Sequence, residues 1–468
     1  MTIRPIRRTL AAVAAVLALT PAAQADTLAD ALVGAYNTSG LLEQNRAVLR
    51  AADEDVAQAV SALRPVLSWS ADITRDFGTS RGSNSLGAVA RSASNTASVG
   101  LVAELTLYDF GQNRLAIDGA KEAVLATRQG LVSIEQQILL RAVTAFFEVR
   151  RATETVALRQ NNLRLITQEL RAAQDRFEVG EVTRTDVSLA EARLAQARAN
   201  LAAAQGELRA AQEEYRVATG RTPGPLSQPS RVPDLPPDRN SAVAIALRGH
   251  PDLLQAQHLV RVAELSIARA EAAMKPTISL TGRLGVTEDF DNDSFSHGGS
   301  IGIESTGPIY QGGRLSSLVR QAMANRDEQR GNLHVVRLTI EQNVTNALIQ
   351  LNVARASEDA NADQVRAADV AFRGIREEAT LGARTTLDVL NAEQELLDAR
   401  AALISANVDE FIAAYRVLAT MGRLTARDLG LNVQRYDPAA YYNLVKDAPA
   451  VSQQGQQLNR VLRALGKE

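Results

Sequence analysis

An internal repeat constrains this chain more than any other feature of its sequence. Residues 180–220 and 382–422 carry the same pattern, displaced by 202 positions throughout. The residues that recur in the two copies are Asp186, Val187, Ala190, Glu191, Leu194 and Ala197, and then Asp388, Val389, Ala392, Glu393, Leu396 and Ala399. A displacement of 211 relates Arg64-Pro65 to Lys275-Pro276. The sequence therefore predicts one unit of strands and helices that is present twice.

The composition limits the chemistry that is open to the chain. None of the 468 residues is cysteine, which excludes disulfides and thiolate metal sites. The hydrophobic fraction of 46% with only 4% aromatic residues suits long helices better than compact sheets. No nucleophile–base pair, metal-ligand cluster or phosphate-binding loop is evident, so we expect no enzyme activity and no cofactor.

The amino-terminal segment, residues 1–25, has the pattern of a secretory signal. Three arginines precede an apolar run from Leu10 to Leu19, and Ala23-Gln24-Ala25 forms a small-residue cleavage site. Removing this segment takes away three arginines and no acid, so the net charge changes from −2 to −5. This mild acidity argues against a nucleic-acid partner. We expect export from the cytoplasm.

Proline positions divide the remaining chain. Residues 223–237 contain six prolines, whereas none occurs between Pro65 and Pro223 or between Pro308 and Pro438. The two proline-free stretches can hold long uninterrupted helices. The predicted organisation is a first repeat over 26–222, a stiff linker over 223–240, a second repeat over 241–425 and a C-terminal tail over 426–468.

Each copy is predicted to contain one helix, two strands and a long helical hairpin. The first helices cover residues 28–63 and 241–274, and the long outgoing helices cover 111–179 and 313–380. Each long helix would measure on the order of 100 Å at 1.5 Å per residue. The returning helices have a seven-residue repeat typical of knobs-into-holes packing, with rows that include Val187, Leu194 and Leu201, and Val389, Leu396 and Leu403. Taken alone, this repeat favours an ordinary coiled coil or antiparallel bundle.

Four short segments alternate between apolar and polar residues. They cover residues 66–75, 98–107, 278–286 and 301–306, and long polar connections, one of them from Gly78 to Ala97, join them in pairs. This pattern fits strands of an outer-membrane barrel, although half-buried hairpins on a soluble core remain an alternative. Four strands cannot close a barrel, because about eight are needed, and an open edge is costly in lipid. A barrel would therefore have to be shared between chains, with twelve strands from three copies.

Several motifs add a more specific signal. They are Arg176-Phe177-Glu178-Val179-Gly180, Thr185-Asp186-Val187, Leu381-Gly382-Ala383-Arg384-Thr385, Asp388-Val389-Leu390, Leu107-Tyr108-Asp109-Phe110-Gly111, Ile309-Tyr310-Gln311-Gly312-Gly313 and His250-Pro251-Asp252-Leu253. Through these motifs the chain resembles the TolC family of outer-membrane efflux and secretion channels, from residue 26 to about 430. It departs from the family at Ser39-Gly40, where Asn-Pro is usual.

The resemblance implies a mainly α-helical fold with a β-barrel portion. The helices would form an α-barrel tunnel across the periplasm of a Gram-negative bacterium. Four transmembrane strands per chain would give a twelve-stranded outer-membrane barrel in a homotrimer. The turns at Gly180 and Gly382 would lie at the periplasmic tip, where adaptor proteins dock.

The resemblance also implies roles for residues near the tip. Arg384 matches a gate arginine, and Thr185 and Asp186 match its partners. Asp388 matches an acidic ring at the constriction, whose second acidic position is Asn391 here, so the ring would carry three charges rather than six.

Helix capping is the local alternative for these residues. Thr183 to Asp186 and Thr385 to Asp388 both fit capping boxes, and the preceding glycines suit turns. Capping does not explain Arg384, because the equivalent residue in the first copy is Val182.

The predicted function is a passive exit duct for small molecules. An inner-membrane efflux pump or ABC transporter would drive export through a periplasmic adaptor. Four charged side chains would line the barrel lumen, namely Asp72, Glu104, Arg283 and Glu304. Two alternatives stay open: an outer-membrane duct for type I protein secretion, and a periplasmic coiled-coil structural protein.

Overall fold

The computed structural model describes residues 26–81, 89–229, 231–291 and 293–449, and the single residues Gln456, Arg460, Arg463 and Ala464. The predicted signal over 1–25 lies outside the described residues. In chain order the elements are α1 (Leu28–Thr38), α2 (Gly40–Ser61), β1 (Val66–Ser80), β2 (Ala90–Tyr108), α3 (Gln112–Glu178), α4 (Arg184–Thr219), α5 (Arg239–Gly249), α6 (Pro251–Ala272), β3 (Thr277–Asp289), β4 (Phe295–Thr306), α7 (Arg314–Thr380), α8 (Thr386–Thr420) and α9 (Ala440–Val445).

The element boundaries reproduce the sequence repeat. The starts of α5 and α6 follow those of α1 and α2 by the larger of the two sequence displacements, and the starts of α7 and α8 follow those of α3 and α4 by the smaller. Both outgoing helices contain 67 residues and lie close to their predicted limits. The long helices and their order are therefore confirmed.

The prediction of one helix at the start of each copy is wrong. In the first copy Ser39 is extended, with ψ 111°, and its side-chain oxygen accepts a hydrogen bond from the N–H of Leu42 at 3.3 Å. In the second copy His250 is extended because it precedes Pro251, whose ring disfavours the helical conformation of the residue before it. Pro251 then begins α6, where its missing N–H costs nothing.

The predicted rows of apolar residues do pack in the second hairpin. Helices α7 and α8 share a buried cluster that contains Ala368, Phe372, Ala379, Val389, Ala392, Leu396 and Ala399. Val389 and Leu396 belong to a predicted row, and Ala392 and Ala399 each follow one of them by three residues on α8. Alternation of large and small residues lets two helices approach closely, as in coiled coils.

The four strands form one sheet in the order β1-β2-β3-β4, and all neighbouring strands are antiparallel. The strands are longer than predicted, since β1 has 15 residues and β2 has 19. The prediction of a polar connection from Gly78 to Ala97 is wrong over most of its length: Gly78 pairs with Ser92, and Ala97 pairs with Ile73. In this stretch the two strand faces no longer differ clearly in hydrophobicity. The backbone pairing nevertheless continues through small serine, alanine and threonine residues.

The described chain packs as two units, and each draws on both sequence copies. The first unit contains the described residues up to 43, within 132–250 and within 338–435. Within it, Phe147 is fully buried and its ring stacks on Phe411, with centroids 4.9 Å apart. Burial of such a side chain stabilises the fold by about 1.5–3 kcal/mol.

The second unit contains the described residues within 44–131, within 251–337 and from 436 onward. Its apolar centre joins α2 to α3 through Leu49, Val56 and Val124, and Tyr436 and Tyr442 of the tail pack against it. The tail thus contains ordered structure, including α9. Among the helices of the described residues, none combines the length and the apolar character that a membrane crossing requires.

Candidate functional site

Two tight turns end the long hairpins, and both depend on glycine. Gly180 has φ 79° and Gly382 has φ 76°, a backbone conformation that other residues adopt only with strain. The residue after each glycine donates its N–H to the carbonyl five residues earlier, at 2.9 Å in both turns. The space around each glycine Cα is open, because a Cβ atom placed there would meet nothing within 4 Å. The two turns therefore expose their backbone.

Each turn is followed by a complete capping box. The N–H and the hydroxyl of Thr183 donate to Oδ2 of Asp186 at 2.9 and 2.7 Å, while the N–H of Asp186 donates back to the threonine oxygen at 3.4 Å. Thr385 and Asp388 repeat this arrangement. Hydrogen bonds from Thr183 lower the pKa of Asp186, and those from Thr385 lower the pKa of Asp388. The capping interpretation of the sequence is therefore confirmed.

Arg384 precedes the second capping box and is exposed. Its Nε lies 2.8 Å from Oε2 of Glu378, and this carboxylate raises the pKa of Arg384. Thr185 lies in the first turn of α4 beside Asp186, whose Oδ2 is held by Thr183. Within the described chain, Arg384 is thus paired with Glu378, and its predicted link to Thr185 and Asp186 stays a prediction.

Asn391 lies one turn after Asp388 on α8. Its Oδ1 accepts a hydrogen bond from Nη2 of Arg193 on α4 at 3.1 Å. The structure therefore places a guanidinium beside the position where the family usually has a second acid. A role for Asp388 in a constriction ring is not tested by a single chain.

A buried polar contact that the sequence analysis missed joins α3 to α8. Nδ2 of Asn162 donates to Oε1 of Glu393 at 3.0 Å, and the two residues are only 7% and 4% exposed. The sequence did contain a signal for it. Glu393 falls between Leu390 and Leu397 at helical spacing, so a carboxylate interrupts an apolar stripe.

The four predicted lumen residues lie on one face of the sheet. In the register, Asp72 pairs with Ser98, Glu104 with Thr281, Arg283 with Val102, and Glu304 with Ser279. Directly paired residues share a face, and alternate residues along a strand return to it. The sequence thus predicted correctly which charged residues lie together on the sheet.

The opposite face of the sheet is apolar and uncovered. Trp69 is 75% exposed and Ile301 is 86% exposed. The same face carries Leu67, Ile73, Leu101, Leu284 and Ile303. An apolar patch of this extent indicates contact with lipid or with another protein. Within the described residues, no group of three or more His, Asp or Glu side chains is arranged to hold a metal ion.

A sheet with one apolar and one polar face, joined to long helical hairpins that occur twice, defines the class of outer-membrane channel proteins with a helical extension. The model of the outer membrane efflux protein family matches residues 35–221 and 242–423. The chain therefore belongs to this family, as the resemblance to the TolC family predicted. Its location is the outer membrane, and the prediction of an export channel is confirmed.

Individual relatives agree with this assignment. The chain is 37% identical over 428 residues to the outer membrane efflux protein BepC of Brucella suis, covering 91% of this chain and 92% of BepC. It is 27% identical over 335 residues to the alkaline protease secretion protein AprF of Pseudomonas aeruginosa, covering 69% of each chain. The solved structure of the CmeC outer membrane channel of Campylobacter jejuni superposes with a TM-score of 0.76 at 19% identity, over 91% of this chain and 90% of CmeC. The fold is thus that of the TolC-like channels.

Proposed function

We propose that the protein is a homotrimeric, passive exit duct for small molecules, with a twelve-stranded barrel in the outer membrane and an α-helical tunnel below it. It performs no catalysis and needs no cofactor. A periplasmic adaptor protein and an inner-membrane pump supply the coupling to energy.

The observation that carries this proposal is the open sheet. Its apolar face suits lipid, but β1 and β4 are edge strands of a four-stranded sheet. In a membrane, each unpaired backbone group of an edge costs several kcal/mol. Pairing β1 of one copy with β4 of the next removes every edge. Three copies supply the twelve strands.

The repeat gives a second argument for association of identical chains. Phe147 on α3 is fully buried against α8. Its equivalent in the second copy is Ile349 on α7, which is 52% exposed. Val353 and Val370 on the same helix are also exposed apolar residues. A neighbouring copy that packs on α7, as α8 packs on α3, would cover them.

The site residues acquire roles in this assembly. The polar face with Asp72, Glu104, Arg283 and Glu304 lines a wet lumen of mixed charge. At the tip, Arg384 links to Thr185 and Asp186 and so holds the duct closed.

In the trimer, the three copies of Asp388 form a ring of three negative charges. Asn391 is uncharged and occupies the position at which the family usually has a second acid. The open backbone at Gly180 and Gly382 offers a docking surface for the adaptor. Crosslinking from cysteines placed beside these two glycines tests this docking, and absence of crosslinks from both turns would refute it.

Two classes of cargo are candidates for this duct. The length and identity of the match to BepC favour efflux of small molecules. Similarity to AprF keeps type I protein secretion as the second candidate. A periplasmic structural role is disfavoured, because it would leave the apolar face of the sheet exposed to water.

The decisive experiment measures assembly and conductance together. The detergent-extracted protein should have the mass of three chains with threefold symmetry, and it should form ion-conducting pores in planar bilayers. A monomer that partitions into plain buffer would refute the proposal. For the cargo, a deletion strain should become sensitive to small toxic compounds, whereas loss of a secreted protein without such sensitivity would favour type I secretion.

A further inference from the structure

Three of the polar contacts that connect the first-copy hairpin to the second-copy hairpin lie near Glu393, within the first packing unit. The contact from Asn162 on α3 to Glu393 on α8 is buried. Arg193 on α4 donates to Asn391 on α8 at 3.1 Å. The third contact is an ion pair between Arg376 on α7 and Glu169 on α3, at 3.5 Å. An apolar cluster of Ile166, Leu194, Ala197 and Leu390 lies one turn away.

The environment of Glu393 is unusual for a carboxylate. Its Oε1 accepts from Asn162, but its Oε2 is buried and has no hydrogen-bond partner among the described residues. A buried carboxylate with one unpaired oxygen is unstable unless it is protonated or rearranges. The other copy does not share the feature, because the equivalent residue, Glu191, is exposed.

The charged groups around Glu393 come from three helices. Burial raises its pKa to about 7, and the negative charge of Glu169 adds to the effect. The hydrogen bond from Asn162 and the positive charges of Arg376 and Arg193 oppose the rise without cancelling it. Glu393 is therefore neutral in the packed arrangement at moderately acidic pH.

We propose that neutral Glu393, held by Asn162, is a positioning residue that keeps the second-copy hairpin against the first in the closed tunnel, and that its ionisation releases this hairpin. The inference rests on the proposed function, because it assigns a closing role to a contact inside the duct. It differs from the proposed tip link of Arg384, which lies at the exposed turn.

The direction of the pH effect follows from proton linkage. When the hairpins separate, water reaches Glu393 and its pKa returns toward the ordinary value of 4.5. Below pH 4.5 Glu393 is protonated in both arrangements, so the stabilisation from its contact with Asn162 is fully present. Between pH 4.5 and about 7 the ratio of tied to released hairpins falls by up to about tenfold per pH unit. Above pH 7 the loss is complete and the ratio is constant.

The experiment records the open probability of single channels in planar bilayers from pH 4.5 to 8.5. In the unsubstituted protein it should rise steeply up to about pH 7 and then level off. In Glu393→Gln the amide oxygen still accepts from Asn162 but cannot ionise, so the profile should be flat and low. Glu395→Gln is the matched control, since it makes the same change at an exposed position of the same helix. It should keep the original profile.

A second variant tests the movement itself. The chain has no cysteine, so Arg193→Cys combined with Asn391→Cys offers one specific pair for a short bifunctional maleimide. Crosslinking should hold the channel at low open probability at every pH, and the same protein before crosslinking should respond to pH.

The outcomes separate the two proposals. A Glu393→Gln channel with the original pH profile, or a crosslinked channel that still opens at pH 8, would overturn the role of Glu393 while leaving the duct intact. An unsubstituted protein that forms no pore at any pH would instead contradict the proposed function. A Glu393→Gln channel that is open at all pH values would show that only the hydrogen-bond geometry matters, and it would also overturn the proposal.

Discussion

The two hairpin turns share one sequence pattern and one local structure, and their differences are as informative as their similarities. Both have a glycine with positive φ and a capping box of threonine and aspartate. Only the second has an arginine before the box, where Arg384 replaces Val182. The shared residues are those that a helix needs to reverse direction and begin again. The unshared residues are not needed for this reversal, so they are candidates for assembly and gating. Arg384 also pairs with Glu378 across its own turn.

The contrast extends two turns into the returning helices. Leu390 on α8 is 2% exposed and packs with Ile166 and Leu194 of the first hairpin. Its counterpart on α4 is Ser188, which is exposed. Within one chain, therefore, the first hairpin covers the side of α8 that carries Leu390, whereas the equivalent side of α4 is exposed. We infer that the equivalent side of α4 is available for a neighbouring copy.

The largest expected effect comes from removing the buried side chain of this pair. Leu390→Ala leaves a cavity between the hairpins and should destabilise their packing by about 2–5 kcal/mol. Ser188→Ala, at the equivalent exposed position, should change stability by no more than about 0.5 kcal/mol. Hydrogen exchange of α8 amides and thermal unfolding in detergent measure both. Similar effects of the two substitutions would contradict the contrast between the copies.

The two capping boxes should respond alike to substitution, because both turns contain the same threonine and aspartate in the same geometry. Thr183→Ala and Thr385→Ala should each destabilise the start of the following helix by about 1 kcal/mol. The measurement is the exchange rate of the backbone amides of Asp186 and Asp388, which donate to these threonines. Thr→Ser at either position keeps the oxygen and should restore slow exchange. A loss at one turn only would show that the boxes are not equivalent.

Arg384→Ser tests the unshared residue at the turn. The link of Arg384 to its proposed partners is exposed and weak, so we expect no measurable change in thermal stability. If the link closes the tip of a trimer, however, its loss should raise single-channel conductance. Val182→Ser is the control at the equivalent position of the first copy and should leave conductance unchanged. Unchanged conductance in Arg384→Ser as well would remove the gate role.

The sequence predicted the parts of the molecule that periodicity and repetition encode. The long helices, the strand order along the chain and the common face of Asp72 and Glu104 all follow from residue spacing. The helix breaks at Ser39 and His250 could have been predicted from local chemistry, since one residue can cap a helix and the other precedes proline. They were missed because the apolar pattern runs through them.

The remaining features depend on contacts between distant segments. The extension of β2 back to Ala90 depends on its pairing partner β1 rather than on its own alternation. Asn162 and Glu393 are 231 residues apart. The interrupted apolar stripe indicates that Glu393 is unusual, but no local pattern identifies Asn162 as its partner. The pairing of Arg384 with Glu378 was missed as well, although the two are only six residues apart, because the turn geometry brings their side chains together.

The smallest expected effect, and the sharpest comparison of the two turns, is their response to acid. Hydrogen bonds from the threonines hold the pKa values of Asp186 and Asp388 below the ordinary 3.8. The stabilisation from each box is therefore fully present above pH 3.8 and is lost as the pH falls through the lower pKa of the folded turn.

The response of Glu393 has the opposite sign, because its contribution is lost as the pH rises from 4.5 to about 7. Titration between pH 5 and 7 should thus loosen only the second copy, whereas titration below pH 3.8 should loosen both turns. Amide exchange at Asp186 and Asp388, followed over both ranges, separates the two effects. Asp186→Asn, whose side chain accepts hydrogen bonds but does not titrate, should abolish the acid response of the first turn alone. If the turns lose protection at different pH values below 3.8, the capping boxes differ in their surroundings. The positive charge of Arg384, which lowers the pKa of Asp388 and has no counterpart in the first turn, is one such difference.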